Sequence, residues 1–107
     1  MGTRIWVKTQ FIGWHHWPHA PGPVEYLRHS HRHLFKVRCT WDVGHSDRDL
    51  EFHTMQRRVE DFIAVWKDAE TACAWSCEQW AEAIGSAVGA VVCEVSEDGE
   101  CGAEWVA

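Results

Sequence analysis

His31-Arg32-His33-Leu34-Phe35-Lys36-Val37-Arg38-Cys39-Thr40-Trp41-Asp42-Val43 is the stretch on which the fold turns. From Leu34 onward, Phe35, Val37, Cys39, Trp41 and Val43 share one parity, and Lys36, Arg38, Thr40 and Asp42 share the other. Such alternation marks a strand with one buried and one wet face, as in an antiparallel sheet. The odd parity continues upstream through His33 and His31, so both imidazoles belong to the face that carries the apolar residues. Residues two apart in a strand stand roughly 6.6 Å apart on one face. Two imidazoles at that separation can converge on one metal ion.

On the N-terminal side, Arg4 to Trp14 alternates in the same way. Ile5, Val7, Thr9 and Phe11 take one parity, and Trp6, Lys8 and Gln10 the other. His15 ends this strand with the parity of Phe11. In an antiparallel pair the end of one strand lies beside the start of the next, which brings His15 to His31 and His33 as a third ligand. Three histidines leave a fourth position open, the arrangement of a catalytic zinc site rather than a closed structural one. Between the strands, Pro18-His19-Ala20-Pro21-Gly22-Pro23 reads as a loop that cannot join a sheet ladder. His16, His19, His29 and His45 read as outer-sphere or surface residues.

On the C-terminal side, Gly44-His45-Ser46-Asp47 is a turn, and the period then changes. Phe52, Met55, Val59, Phe62, Ile63 and Trp66 fall at helical spacing, which predicts a helix over about 53–68. Ser76 with Gln79 has capping-box form and opens a second helix, with Trp80, Ile84, Ala87 and Val88 as its apolar stripe. Residues 90–97 and 100–106 are short extended runs joined by Asp98-Gly99, the strongest local hairpin signal. The order β-β-α-α-β-β implies an α+β fold: a four-stranded antiparallel sheet with two helices on one face, in a single domain over 1–107.

Composition narrows the function classes. A chain of 107 residues makes one domain of modest core. Its net charge of −6 makes it a poor candidate for nucleic-acid backbones, which need a Lys/Arg surface. Eight tryptophans exceed what so small a core can hold, which points to oligomer or ligand contacts. The five cysteines, Cys39, Cys73, Cys77, Cys93 and Cys101, are an odd number. Residues 1–5 show no secretory apolar core, and no run approaches the ~18 apolar residues of a membrane span. The expectation is free thiols in a reducing, cytoplasmic setting, away from membranes. Cys73 and Cys77 lack a second pair at zinc-finger spacing and read as small residues packed beside a helix.

Five segments resemble one family. Phe11-Ile12-Gly13-Trp14-His15 is similar to the F-x-A-x-H of the 6-pyruvoyltetrahydropterin and 6-carboxytetrahydropterin synthases, and His31-Arg32-His33-Leu34-Phe35-Lys36-Val37 to their H-G-H-x-Y-x-V strand. Asp49-Leu50-Glu51-Phe52 resembles the V-x-D-F entering their first helix. Ser76-Cys77-Glu78 resembles the P-T-x-E opening the second, and Val95-Ser96-Glu97-Asp98 the V-x-E-T of the third strand. The segments keep the family's order over most of the chain. The resemblance implies the tunnelling fold, whose β-β-α-α-β-β units join side by side into barrels and stack, typically as hexamers. It implies Zn2+ held by His15, His31 and His33. It also implies a pterin- or purine-like ligand, anchored by Glu97 with Glu78 as a further contact. A carboxylate suits the anchoring role because it accepts two parallel N–H bonds from an amino-pyrimidinone edge.

Three departures stand beside this resemblance. The family's catalytic cysteine falls where this chain has Leu27 or Glu25, so Glu25 or His29 becomes the expected proton carrier. The family's Asp-His pair after the first helix has no counterpart. The glycine of H-G-H is Arg32, a cation that either binds a substrate phosphate or carboxylate or is solvated. Three functions follow as expectations. The first is a zinc-dependent synthase of lyase type acting on a dihydroneopterin-like or deazapurine precursor. The second is a noncatalytic module that sequesters a pterin, purine or nucleotide. The third is a homo-oligomer without a ligand.

Overall fold

A computed structural model describes residues 2–107. Its strands are β1 (Thr3–His15), β2 (His31–Val43), β3 (Val92–Glu97) and β4 (Cys101–Val106), and its α-helices are α1 (Phe52–Trp66) and α2 (Cys77–Val88). The sheet is antiparallel throughout, in the order β1-β2-β3-β4. The α+β class and the β-β-α-α-β-β order therefore match the reading of the sequence.

Parity explains the packing. Val7 and Phe11 on β1, Phe35, Val37, Cys39 and Trp41 on β2, and Cys93 and Val95 on β3 are buried on one face. Met55, Val59 and Ile63 of α1 and Trp80, Ala81, Ile84 and Val88 of α2 close over them as one core. Each large apolar side chain buried here stabilises the fold by ~1.5–3 kcal/mol. The even positions of β1 stay exposed, including Trp6, Ile12 and Trp14. The tryptophans divide as their number implied. Trp41 and Trp80 are buried, with the Trp41 Nε1–H donating to the Val88 carbonyl at 3.1 Å, while Trp6, Trp14 and Trp17 are exposed.

Local chemistry sets the ends of the elements. The Ser76 hydroxyl accepts from Gln79 N–H and the Gln79 side chain accepts from Ser76 N–H, completing the capping box. At α1 the cap is Glu51, whose carboxylate accepts from the N–H groups of His53 and Thr54; these bonds hold its carboxyl below the usual range. Asp98 and Gly99 both take positive φ, 58° and 75°, as the tight hairpin between β3 and β4 requires. Gly13 serves close approach instead: a Cβ there would stand 2.9 Å from the Phe35 ring.

Two features are absent from the sequence reading. Gly22–Arg28 and Glu70–Ala74 are 3-10 segments. The first lies in and after the expected loop, closed by Trp17 N–H donating to the Leu27 carbonyl and by Arg28 Nε–H donating to the Ala20 carbonyl. Such short turns carry no apolar period to read. Phe52, counted in the α1 stripe, is exposed in that helix's first turn. All five cysteines are free thiols, and no helix among the described residues is long and apolar enough to cross a membrane.

Candidate metal centre

The β1–β2 register pairs Thr3 with Val43 at one end and His15 with His31 at the other, with Gly13 opposite His33. Odd parity on both strands then sends all three imidazoles to the helix-covered face, past the point where Phe11 and Phe35 end the core. Phe35 forms the floor, its ring centroid 5.2 Å from that of His15 and 6.1 Å from that of His33. The imidazole centroids lie 4.4 Å (His15–His31), 4.8 Å (His31–His33) and 5.1 Å (His15–His33) apart. One ligand nitrogen from each ring lies within 4.8 Å of the others, and among the described residues no other three His, Cys, Asp or Glu side chains gather this way.

Backbone and carboxylate partners orient these rings. The His29 carbonyl accepts from His31 Nδ1 at 2.8 Å, and Asp98 Oδ2 accepts from His33 Nδ1 at 2.8 Å. Asp98 is itself fixed, because its Oδ1 accepts from Leu34 N–H at 2.9 Å. That bond, and then the one from His33, hold the Asp98 carboxyl below its usual range. A histidine whose Nδ1 donates to a carbonyl or carboxylate presents Nε2 as a bare lone pair, as metal-bound histidines do. The Nε2 atoms of His15 and His33 are buried and have no hydrogen-bond partner. A buried unsatisfied nitrogen costs about 1–3 kcal/mol, which native structures rarely tolerate without a function. His15 is only 9% exposed. Burial, and then the neighbouring His31, depress its tendency to take a proton. The donor set therefore fits a divalent ion, and nitrogen ligands of this kind suit zinc among other transition metals.

The site opens into a cavity of about 450 Å³, whose wall includes His15, His31, Trp75, Cys77, Glu78, Glu97 and Cys101. Glu97, at the end of β3, pairs with Phe35 on one side and Cys101 on the other. Its Oε1 lies 3.4 Å from His15 Nε2 and its Oε2 lies 3.6 Å from His33 Nε2. Cys77, in the first turn of α2, is pushed up to about 12 by burial and then by Glu97 and Glu78, so it is a protonated thiol at neutral pH. A larger concavity of about 840 Å³ lies elsewhere, over the open face of the sheet; its wall includes Lys8, Lys36 and Arg38.

The sequence-derived residues thus divide. His15, His31, Glu97 and Glu78 line one cavity, and His33 joins them through the imidazole cluster and Glu97. Glu25 is exposed on the 3-10 segment Gly22–Arg28 and is not on the cavity wall. His29 is also exposed and off that wall, and what it gives the site is its carbonyl. Arg32, paired with Trp14, has the parity of the opposite sheet face and is exposed. Asp98, Trp75, Cys77 and Cys101 were not read as site residues. The Asp98-Gly99 turn held a usable signal for two of them: a tight hairpin there sets Cys101 opposite Glu97 and puts Asp98 at the strand end. Compared with known protein families and with curated proteins, the chain matches none.

Proposed function

We propose that the chain is a tunnelling-fold, zinc-dependent protein of the 6-pyruvoyltetrahydropterin and 6-carboxytetrahydropterin synthase type, acting on a dihydroneopterin-like or related pterin or deazapurine precursor. The observation that carries this reading is the set of three imidazoles, two with buried, unpartnered Nε2 atoms, beside a cavity that also presents Glu97 and Glu78. The cavity's volume, about 450 Å³, lies within the range of small-molecule sites. Zinc there would serve as a Lewis acid toward hydroxyl or carbonyl oxygens of the ligand. Glu97 and Glu78 would accept the N–H groups of an amino-pyrimidinone edge, and Trp75 would supply an apolar wall for its ring.

Self-association belongs to the same proposal. β1 and β4 are the two sheet edges, and β1 offers thirteen residues of ladder. Edges of that length call for a partner, and side-by-side joining of copies would supply one. Trp6, Ile12 and Trp14 give the uncovered face the apolar surface for such contacts.

A second reading draws on one specific observation. Neither Glu25 nor His29 reaches the cavity wall, so the expected proton carriers are missing from it. This favours a noncatalytic module that holds the ring without turning it over. Zinc-loaded protein incubated with 7,8-dihydroneopterin triphosphate separates the two. Loss of substrate with a new pterin product, followed by chromatography, supports the enzyme. Saturable binding by calorimetry without product supports the binding module. Failure to take up zinc ends both.

A further inference from the structure

We infer that Glu97 is a fourth ligand of the metal, closing a three-histidine, one-carboxylate centre while the cavity holds no small molecule. The inference rests on the metal-site reading above and assigns Glu97 a task beyond ring recognition.

Geometry carries it. The two oxygens of the Glu97 carboxylate face two different Nε2 atoms, at 3.4 Å (His15) and 3.6 Å (His33). Both distances exceed the 2.7–3.2 Å of an ordinary N–H···O bond, and neither nitrogen has a hydrogen-bond partner. The carboxylate is therefore not placed to receive a proton from these rings. Two donors bound to one tetrahedral zinc ion stand about 3.3 Å apart, given bonds of 2.0–2.2 Å. The observed separations are those of ligands around a common ion.

Electrostatics agrees. His33 donates from Nδ1 to Asp98, so in the neutral ring Nε2 is a lone pair rather than an N–H. A carboxylate oxygen facing that lone pair sets acceptor against acceptor in a partly enclosed site, with the Glu97 side chain 28% exposed. A divalent ion between them makes the arrangement favourable. One divalent ion neutralises the carboxylate and satisfies the bare nitrogens together.

The sheet makes the placement rigid. Glu97 pairs directly with Phe35, so it stands diagonally next to His33 across the β2–β3 ladder. Asp98, the next residue, grips the far side of the same imidazole. The end of β3 thus addresses His33 from both nitrogens. A ring carrying N–H donors that enters the cavity would compete with the metal for Glu97, which couples ligand entry to opening of the fourth position.

The test is zinc affinity, measured by competition with a chromophoric chelator, on wild type, Glu97→Gln and Glu97→Ala. Circular dichroism of each variant establishes folding, and Glu97→Gln keeps the side chain's shape. Both variants are expected to bind zinc about a hundredfold more weakly, at least the upper end of what losing a partner outside the first coordination sphere costs. The visible spectrum of the Co2+-loaded protein is expected to change in Glu97→Gln. Wild-type affinity together with an unchanged cobalt spectrum in the Gln variant overturns the inference and leaves the three-histidine site standing. Absence of zinc binding by the wild type overturns the metal site itself.

Discussion

Two cross-strand pairs on the same face of β2 make an instructive contrast. Cys39 meets Cys93 of β3 in mid-sheet, both fully buried under the helices with their sulfurs 3.5 Å apart. His31 meets His15 of β1 at the end of the ladder, where the core has run out. The first pair is small and apolar, and burial satisfies it. The second brings two polar rings to within 4.4 Å, beside a third, and leaves buried nitrogens without partners. The same parity that builds the core also builds this cluster. Burial therefore works for the fold in the middle of the strand and against it at the strand's start. A sheet tolerates that cost where a ligand repays it.

The sharpest way to break the contrast is to exchange what each end depends on. Phe35→Ala removes a side chain that is 1% exposed and is expected to lose about 3–5 kcal/mol of stability in urea unfolding. His31→Ala, at the strand's start, should leave the metal-free protein about as stable as wild type. Its loss appears only with zinc. At a thousandfold excess over its dissociation constant, zinc should stabilise wild type by about 4 kcal/mol and His31→Ala by far less. Equal destabilisation of the metal-free protein by both substitutions would make the histidine cluster ordinary core.

The next effect concerns the partner of His33. Asp98→Asn keeps a residue that tolerates the positive φ of this turn while removing the charge that His33 Nδ1 faces. Zinc affinity is expected to fall about tenfold, the lower end for outer-sphere partners, with little change in the metal-free melting temperature. Smaller again is Ser76→Ala, which removes the α2 cap and should cost about 1 kcal/mol with zinc affinity unchanged. A change in zinc affinity there would mean that α2 positions the site more directly than its place on the cavity wall implies.

What the sequence disclosed follows the same division. The four strands, both α-helices and the meeting of His15 with His31 were legible, because period and parity fix which face each residue takes and antiparallel order fixes which ends meet. Glu25 and His29 stand off the cavity wall because they are close to His31 only along the chain. The backbone turns after the 3-10 segment, so His29 delivers its carbonyl and Glu25 faces outward. The Asp98–His33 contact spans 65 residues and depends on the exact path of a three-residue turn, which no periodicity reports. Cys77 and Trp75 reach the cavity through the packing of α2 and the segment before it, and packing of that kind leaves no local mark.

The smallest effect is a pH dependence of the metal-free protein. Burial foremost, then the His31 imidazole, hold His15 below the usual histidine value of 6.5. The unfolded chain therefore binds a proton that the folded protein refuses. Stability should rise with pH up to about 6.5, stay level above it, and fall as pH drops from there toward the lowered folded value. Asp98 adds loss in a more acidic window: its contribution is present above the unfolded carboxyl value and disappears as pH falls through its lowered folded one. Urea midpoints between about pH 2.5 and 8 for wild type and His15→Gln separate the two. The glutamine cannot charge, so the slope just below pH 6.5 should flatten while the acid-side loss remains. Saturating zinc should suppress the histidine slope in wild type until protons displace the metal, because a lone pair held by an ion is closed to them. A wild-type slope that survives His15→Gln would trace the pH response to another group and remove His15 as the strained member of the cluster.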